Sequence, residues 1–219
     1  MEALNVLYED NHVIVVEKPI MMPVNPDDSH DDSLLDSIKR YIKVTRNKPN
    51  EAYVALVHRL DRPVGGVMVF ALSAKAASRL SDSLRNHQLV KRYVAIIAKP
   101  LKLGTYEDRL LKDEKNNMTK VHPQGKPSQL VIESSQSLND GTTYCVIKLI
   151  SGRSHQIRVQ TSSRHAPILY DQRYNPNAKP THPIALFAFE LSFPHPTTKE
   201  LLTFSLPIPQ RHPFTLFNQ

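Results

Sequence analysis

The sequence predicts an α+β fold on three observations. Short runs of apolar and β-branched residues recur along the chain and read as strands, while two segments repeat their apolar residues at helical spacing. Asn139-Asp140-Gly141 stands between two strand-like runs as a tight hairpin connection. With 219 residues, 40% of them hydrophobic, the chain can bury a core as one domain or as one domain with two lobes, and residues 1–219 are expected to form it.

Taken in order, Leu4 to Leu7 and Val13 to Glu17 are two short strands joined by the polar turn Glu9-Asp10-Asn11-His12, after which Lys18-Pro19 and Met22-Pro23 break the pattern. Leu34, Leu35, Ile38, Tyr41 and Ile42 stack on one helical face with Asp32 or Ser33 as N-cap, and Lys39, Arg40 and Lys43 lie around it as a solvated face. Ser73 caps a second helix running to about Arg85, with Ala76, Ala77, Leu80 and Leu84 as its buried stripe. Lys91 to Lys99 is a strand. The polar, charged run Leu101 to Gly125 lacks apolar periodicity and is expected as a mobile surface loop. Gln129 to Ser135 and Thr142 to Ile150 form the hairpin. They lead into Ser151-Gly152-Arg153-Ser154, where Gly152 allows a turn and Ser154 caps a helix over His155 to Arg164. His182 to Pro209 reads as two strands and a turn ending in Leu202 to Leu206.

Composition narrows the function. A net charge of +7 favours a polyanionic partner, because each phosphate neutralised by Lys or Arg releases counterions. The single cysteine, Cys145, sits in an apolar run, cannot form an internal disulfide and fits a core role in a reducing cytoplasm. The N-terminal residues lack the apolar stretch of a signal peptide, and no run approaches the roughly 18 apolar residues of a membrane span. The ten histidines show no His-Glu-x-x-His and no metal-ligand spacing, so no metal is expected. No glycine-rich phosphate loop appears, which argues against a nucleotide cofactor.

The chain is organised around Val57 to Ala71, where an apolar approach delivers one carboxylate, Asp61, flanked by Arg59 and Arg62. Pro63, Gly65 and Gly66 are expected to make a turn that leads into the strand Val67 to Ala71. A carboxylate close to fixed cations stays ionised at neutral pH, which suits a nucleophile better than a general acid. An aspartate between two arginines is also common on surfaces, where ion pairs are weak, so the longer string carries the argument. A glycosidase ranks low because Asp61 has no second carboxylate near it in sequence.

His58-Arg59-Leu60-Asp61-Arg62-Pro63-Val64 resembles the catalytic motif of the RluA-type pseudouridine synthases. Lys91-Arg92-Tyr93-Val94-Ala95, the stretch Ser151 to Val159, and Leu191-Ser192-Phe193-Pro194-His195-Pro196 follow in that family's order, so the likeness runs from about Asn5 to Pro209. It implies a mixed, mainly antiparallel central sheet in two lobes with flanking helices and a central groove. It also implies an RNA uridine isomerase without cofactor, since isomerisation needs no oxidant or group donor. Asp61 is then the essential carboxylate, either adding to the nucleoside or steering loss of the 2′ proton. Tyr93, in the family's Lys-x-Tyr pattern, stacks on the target uracil and can assist proton removal, and Arg158 matches the basic residue that pairs with the carboxylate. Arg59, Arg62 and Arg153 are expected at phosphates, with Gln156 and Ile157 beside the substrate; His155 and Gln156 also match as structural groups.

The resemblance begins directly at the catalytic domain, so no separate N-terminal RNA-binding domain is expected. Its implied partner is ribosomal or transfer RNA; the cytoplasm is expected from the lone cysteine and the absence of a signal or membrane segment, and a monomer is the default expectation. The rival is a catalytically silent RNA-binding or assembly protein of the same fold. Four departures stand out: Val64-Gly65-Gly66 lacks the hydroxyl usual after the catalytic Asp, Leu72 replaces a lysine, Gln160 a histidine, and Tyr170 the glycine before Asp171.

Overall fold

A computed structural model describes residues 4–47 and 49–217. Its contacts divide the chain into two compact units, one comprising the chain up to Leu89 with Glu190–Leu206, the other Val90–Phe189 with the chain from Pro207 on. The architecture is α+β, and every strand pairing described below is antiparallel.

In the first unit β1 (Val6–Glu9) pairs with β2 (Val13–Lys18), which pairs with β4 (Gly65–Ala71); the two-residue β3 (Ala55–Leu56) also lies on β4. All seven β4 residues are buried, as expected of a strand covered on both faces. β10 (Leu186–Pro194) starts in the second unit and ends in the first, where it pairs with β11 (Leu201–Ser205). Helix α1 (Leu34–Thr45) is capped by Ser33, whose Oγ accepts from Asp36 N at 3.1 Å and donates to the Asp36 carboxylate at 2.7 Å. Helix α2 (Ala74–Arg85) is capped by Ser73 and lies against β4. His195, from the Pro194-His195-Pro196 motif, accepts the Thr198 N–H on Nδ1 at 3.0 Å, so its Nε2–H donates to Asp10 at 2.8 Å, tying the first hairpin to the last. Burial pushes the Asp10 carboxyl up, but the His12 and Val13 N–H groups and His195 outweigh it and hold the pKa below 3.8.

The glycines after Asp61 do not make the expected turn. The turn is Asp61-Arg62-Pro63-Val64, closed by Val64 N–H donating to Asp61 O at 2.9 Å, and Gly65 and Gly66 open β4. A Cβ on Gly65 would sit 3.2 Å from Lys18 O and 3.0 Å from Ile20 Cγ2, and Gly66 has φ 135°. These glycines therefore serve the close approach of β2 to β4 beside the turn.

In the second unit β5 (Val90–Ile97) pairs with β9 (Thr143–Leu149), β9 with β8 (Lys126–Ser137), β8 with β6 (Gly104–Asp113), and β6 with β7 (Met118–Val121). The run expected as a mobile loop thus contains two paired strands. The ladder to β8, from Gly104↔Ile132 to Leu110↔Lys126, holds β6 although it buries only Leu110, and pairing of this kind leaves no apolar signal in the sequence. The Asp140-Gly141 hairpin forms as expected, with Gly141 at φ 85°. Cys145 is fully buried in β9, and burial pushes its thiol up to about 12, the inert core cysteine expected. Helix α3 (Gln156–Ser162) is shorter than expected, and its N-cap is His155 rather than Ser154, with φ 52° and no side-chain cap bond.

Candidate active site

Asp61 leads the turn before β4 in the first unit, and Lys18 underlies that turn. The Lys18 side chain is 0% exposed and donates to Pro19 O at 2.8 Å and to Arg62 O at 3.0 Å. Burial pulls its amine down to about 7; the Asp61 carboxylate opposes that fall and the Arg62 charge adds to it. A buried lysine thus latches the residue after Asp61 and feels the carboxylate's field. From sequence it was visible as the residue before a pattern-breaking proline. His58 Nε2 accepts the Val69 N–H at 3.2 Å, fastening the approach to β4. Arg62 bonds Ser29 Oγ at 2.9 Å and forms ion pairs with Asp27 at 3.3 Å and with Asp31. Arg59 is exposed.

The second unit carries Tyr93, Arg153, Gln156, Ile157 and Arg158. Tyr93 on β5 is 5% exposed. Arg158 on α3 is clasped by Asp171, Nε to Oδ2 at 2.8 Å and Nη2 to Oδ1 at 2.7 Å, a buried bidentate pair. Its guanidinium carbon lies 5.1 Å from the centroid of the Tyr174 ring. The Tyr174 hydroxyl in turn accepts from Thr119 N at 2.8 Å and meets His155 Nδ1 at 2.7 Å. Burial raises the Tyr174 phenol above its ordinary 10.0 despite the Thr119 N–H and the Arg158 charge, so it stays neutral. Asp171 and Tyr174 were not singled out from sequence. The available signal was an acidic residue beside Tyr170, which occupies the glycine position with φ 61°.

Gln156 has its whole amide committed within the protein. Its oxygen accepts from Ser151 Oγ at 2.8 Å and Arg153 N at 3.0 Å, and its nitrogen donates to Gln129 O at 3.0 Å and Gln160 Oε1 at 2.9 Å. It therefore fastens the turn into α3, the structural part of its expected role. Gln160, the residue in place of a histidine, donates to Asp108 Oδ2 at 2.7 Å. Ile157 is 4% exposed, and Arg153 is exposed with Nε donating to Pro127 O at 3.0 Å. Among the described residues no group of three His, Cys, Asp or Glu side chains is placed to hold a metal.

A family model described as RNA pseudouridylate synthase matches residues 12–163, a span that includes Asp61, Tyr93 and Arg158. The chain belongs to the RNA pseudouridylate synthase family. It is 33% identical over 213 residues to the dual-specificity RNA pseudouridine synthase RluA of Escherichia coli strain K12, covering 93% of each chain. It is 30% identical to the ribosomal large subunit pseudouridine synthase C of Buchnera aphidicola subsp. Schizaphis graminum, covering 93% of this chain and 67% of that one. Among solved structures, human RNA pseudouridylate synthase domain containing 4 superposes with a TM-score of 0.77 at 21% identity, over 94% of this chain and 89% of that one. Human RNA pseudouridylate synthase domain containing 1 follows at 0.70 and 19%, over 94% and 84%. This synthase fold accounts for the antiparallel sheets, and the family's RNA isomerase chemistry is this chain's class of reaction.

Proposed function

We propose that this family member converts uridine to pseudouridine in ribosomal or transfer RNA, with Asp61 as the essential carboxylate. The reaction breaks the N1 to C1′ bond, turns the uracil and joins C5 to C1′; C5 loses a proton and the freed N1 takes one up, so atoms balance without a cofactor. Addition of the carboxylate to the nucleoside and removal of the 2′ proton both require Asp61 ionised. The observation that carries the reading is the latch beneath Asp61: buried Lys18 holds the Arg62 carbonyl and lies within the electrostatic reach of the carboxylate. Tyr93 stacks on the uracil, which offsets the few kcal/mol, roughly, that flipping a base out of its stack costs. Arg158, whose orientation Asp171 fixes, is the cation of the reaction. Arg59, Arg62 and Arg153 serve the phosphates, Arg62 by exchanging its acidic partners for them.

The RNA partner is supported by the names of the relatives and by the net charge of +7. The enzyme works in the cytoplasm, which the single buried thiol supports, and as a monomer; cell fractionation checks the first and light scattering the second. No helix among the described residues is long and apolar enough to cross a membrane. The test of the chemistry is tritium release from RNA labelled at uridine C5. The unaltered protein is expected to release tritium and Asp61→Asn to release none; equal release from both overturns the reading.

A further inference from the structure

The second unit contains a buried lysine that is held quite differently from Lys18. Lys18 has two carbonyl acceptors and a carboxylate in reach. Lys91, on β5, is 5% exposed, yet among the described residues its Nζ has neither a hydrogen bond nor an ion pair, and no nearby charge offsets its desolvation. An ammonium on a largely buried side chain, without a protein partner among the described residues, calls for a reason. Burial pulls its amine down to about 8, so at neutral pH it remains mostly protonated.

The surroundings of Nζ show where a partner enters. Gly152, at the turn before α3, is exposed, and a Cβ built on it would meet no atom within 4 Å except Lys91 Nζ, at 3.4 Å. The ammonium therefore lies beneath the one position in the turn that has no side chain, with the space above it open. The next residue, Arg153, brings a second cation anchored through Nε to Pro127 O at 3.0 Å. Lys91 and Tyr93 are two residues apart in β5, opposite Leu149 and Ile147 of β9, so both project from the same face. About 7 Å separates them along the strand, the reach of one nucleotide.

We propose that Lys91 Nζ, reached through the gap at Gly152 and flanked by Arg153, receives a backbone phosphate of the RNA next to the nucleotide that stacks on Tyr93. The proposal rests on the synthase reading for the nature of its ligand. A phosphate oxygen supplies the missing acceptor and counter-charge together. A compact ammonium suits this opening better than a planar guanidinium, which needs acceptors in a fork. The bare Gly152 backbone admits the anion where any side chain would crowd it.

The test uses the full chain carrying Asp61→Asn, so that binding is read without turnover, and in vitro transcribed large-subunit ribosomal RNA as the probe. Added Lys91→Met is expected to weaken Kd about tenfold and to make the plot of log K against log salt shallower by about 0.7, one phosphate of a single strand. Lys91→Arg should recover the slope because it keeps the charge, and Gly152→Ala should weaken Kd by narrowing the approach. Lys91→Met removes an unpaired buried charge, so a thermal midpoint equal to or above that of the parent shows that it folds. An unchanged Kd and slope in Lys91→Met overturn the proposal. So does weaker binding with the slope intact or, in Lys91→Met with Asp61 unaltered, a collapse of kcat with binding intact, since the amine would then act on the reacting base. Failure of the synthase reading is seen separately, as an unaltered protein that binds no RNA and releases no tritium.

Discussion

Replacing Asp171 by alanine removes the acceptor that holds Arg158. The Asp171 side chain is 0% exposed and that of Arg158 6%. Oδ2 accepts from Arg158 Nε at 2.8 Å, while Oδ1 accepts from Arg158 Nη2 at 2.7 Å and from the N–H groups of Arg173 at 3.0 Å and Tyr174 at 3.2 Å. Truncation leaves a buried guanidinium without its bidentate acceptor, a change that costs about 3–5 kcal/mol. At roughly 2–4 °C per kcal/mol for a chain of this size, the thermal midpoint should fall by about 6–20 °C. Unfolding by heat and by urea, followed by circular dichroism, is compared for the unaltered protein, Asp171→Ala, Arg158→Met and the double variant. The double variant should be more stable than Asp171→Ala alone, because removing the guanidinium as well removes the buried donors that Asp171 had satisfied. A structural role for the Asp171 clasp is refuted if Asp171→Ala stays within about 0.5 kcal/mol of the parent, or if the double variant is no better than Asp171→Ala.

Three further outcomes follow from single positions. The folded Lys91 amine titrates near 8, below its ordinary 10.5, so between those values the unfolded chain binds more protons and this group's contribution to stability rises with pH; Lys91→Met should exceed the parent in stability at neutral pH, with an advantage that shrinks above pH 8, and a constant advantage in urea melts across that range refutes the account. Asp10 has its pKa depressed, so its stabilising contribution is present above 3.8 and is lost as pH falls through the lower folded value; Asp10→Asn, whose amide NH₂ cannot accept from His195 Nε2, should cost about 1–3 kcal/mol at neutral pH, and the gap to the parent should close in acid. Gly125 lies so close to β6 that a Cβ would fall 2.5 Å from the Leu110 carbonyl carbon; Gly125→Ala should therefore destabilise by about 1–3 kcal/mol or more, and an unchanged urea midpoint would show that the turn yields freely.

Features whose physics is local could be read from the chain. Ser33 and Ser73 cap their helices because a short hydroxyl side chain reaches the N–H three residues on, whatever surrounds it. Asp140-Gly141 turns because glycine tolerates φ 85°. Cys145 was legible as core from its apolar neighbours. The string from His58 to Val64 pointed to the family because it is contiguous.

Features held by distant partners could not be read in this way. β6 and β7 are strands because β8 supplies their hydrogen bonds, and their own polar residues carry no period. Lys18 becomes a latch only where the chain brings Arg62 O to it across 44 residues, and Gly65 proves to be a close approach only because β2 lies against it. By itself the sequence determined the first two helices, the hairpin and the motif around Asp61, since neighbours within a few residues decide backbone preference. Tertiary structure alone decided that Asp171 clasps Arg158 and that Lys91 is buried without a partner among the described residues. Charge pairing and desolvation depend on distances in space, which no order of residues states.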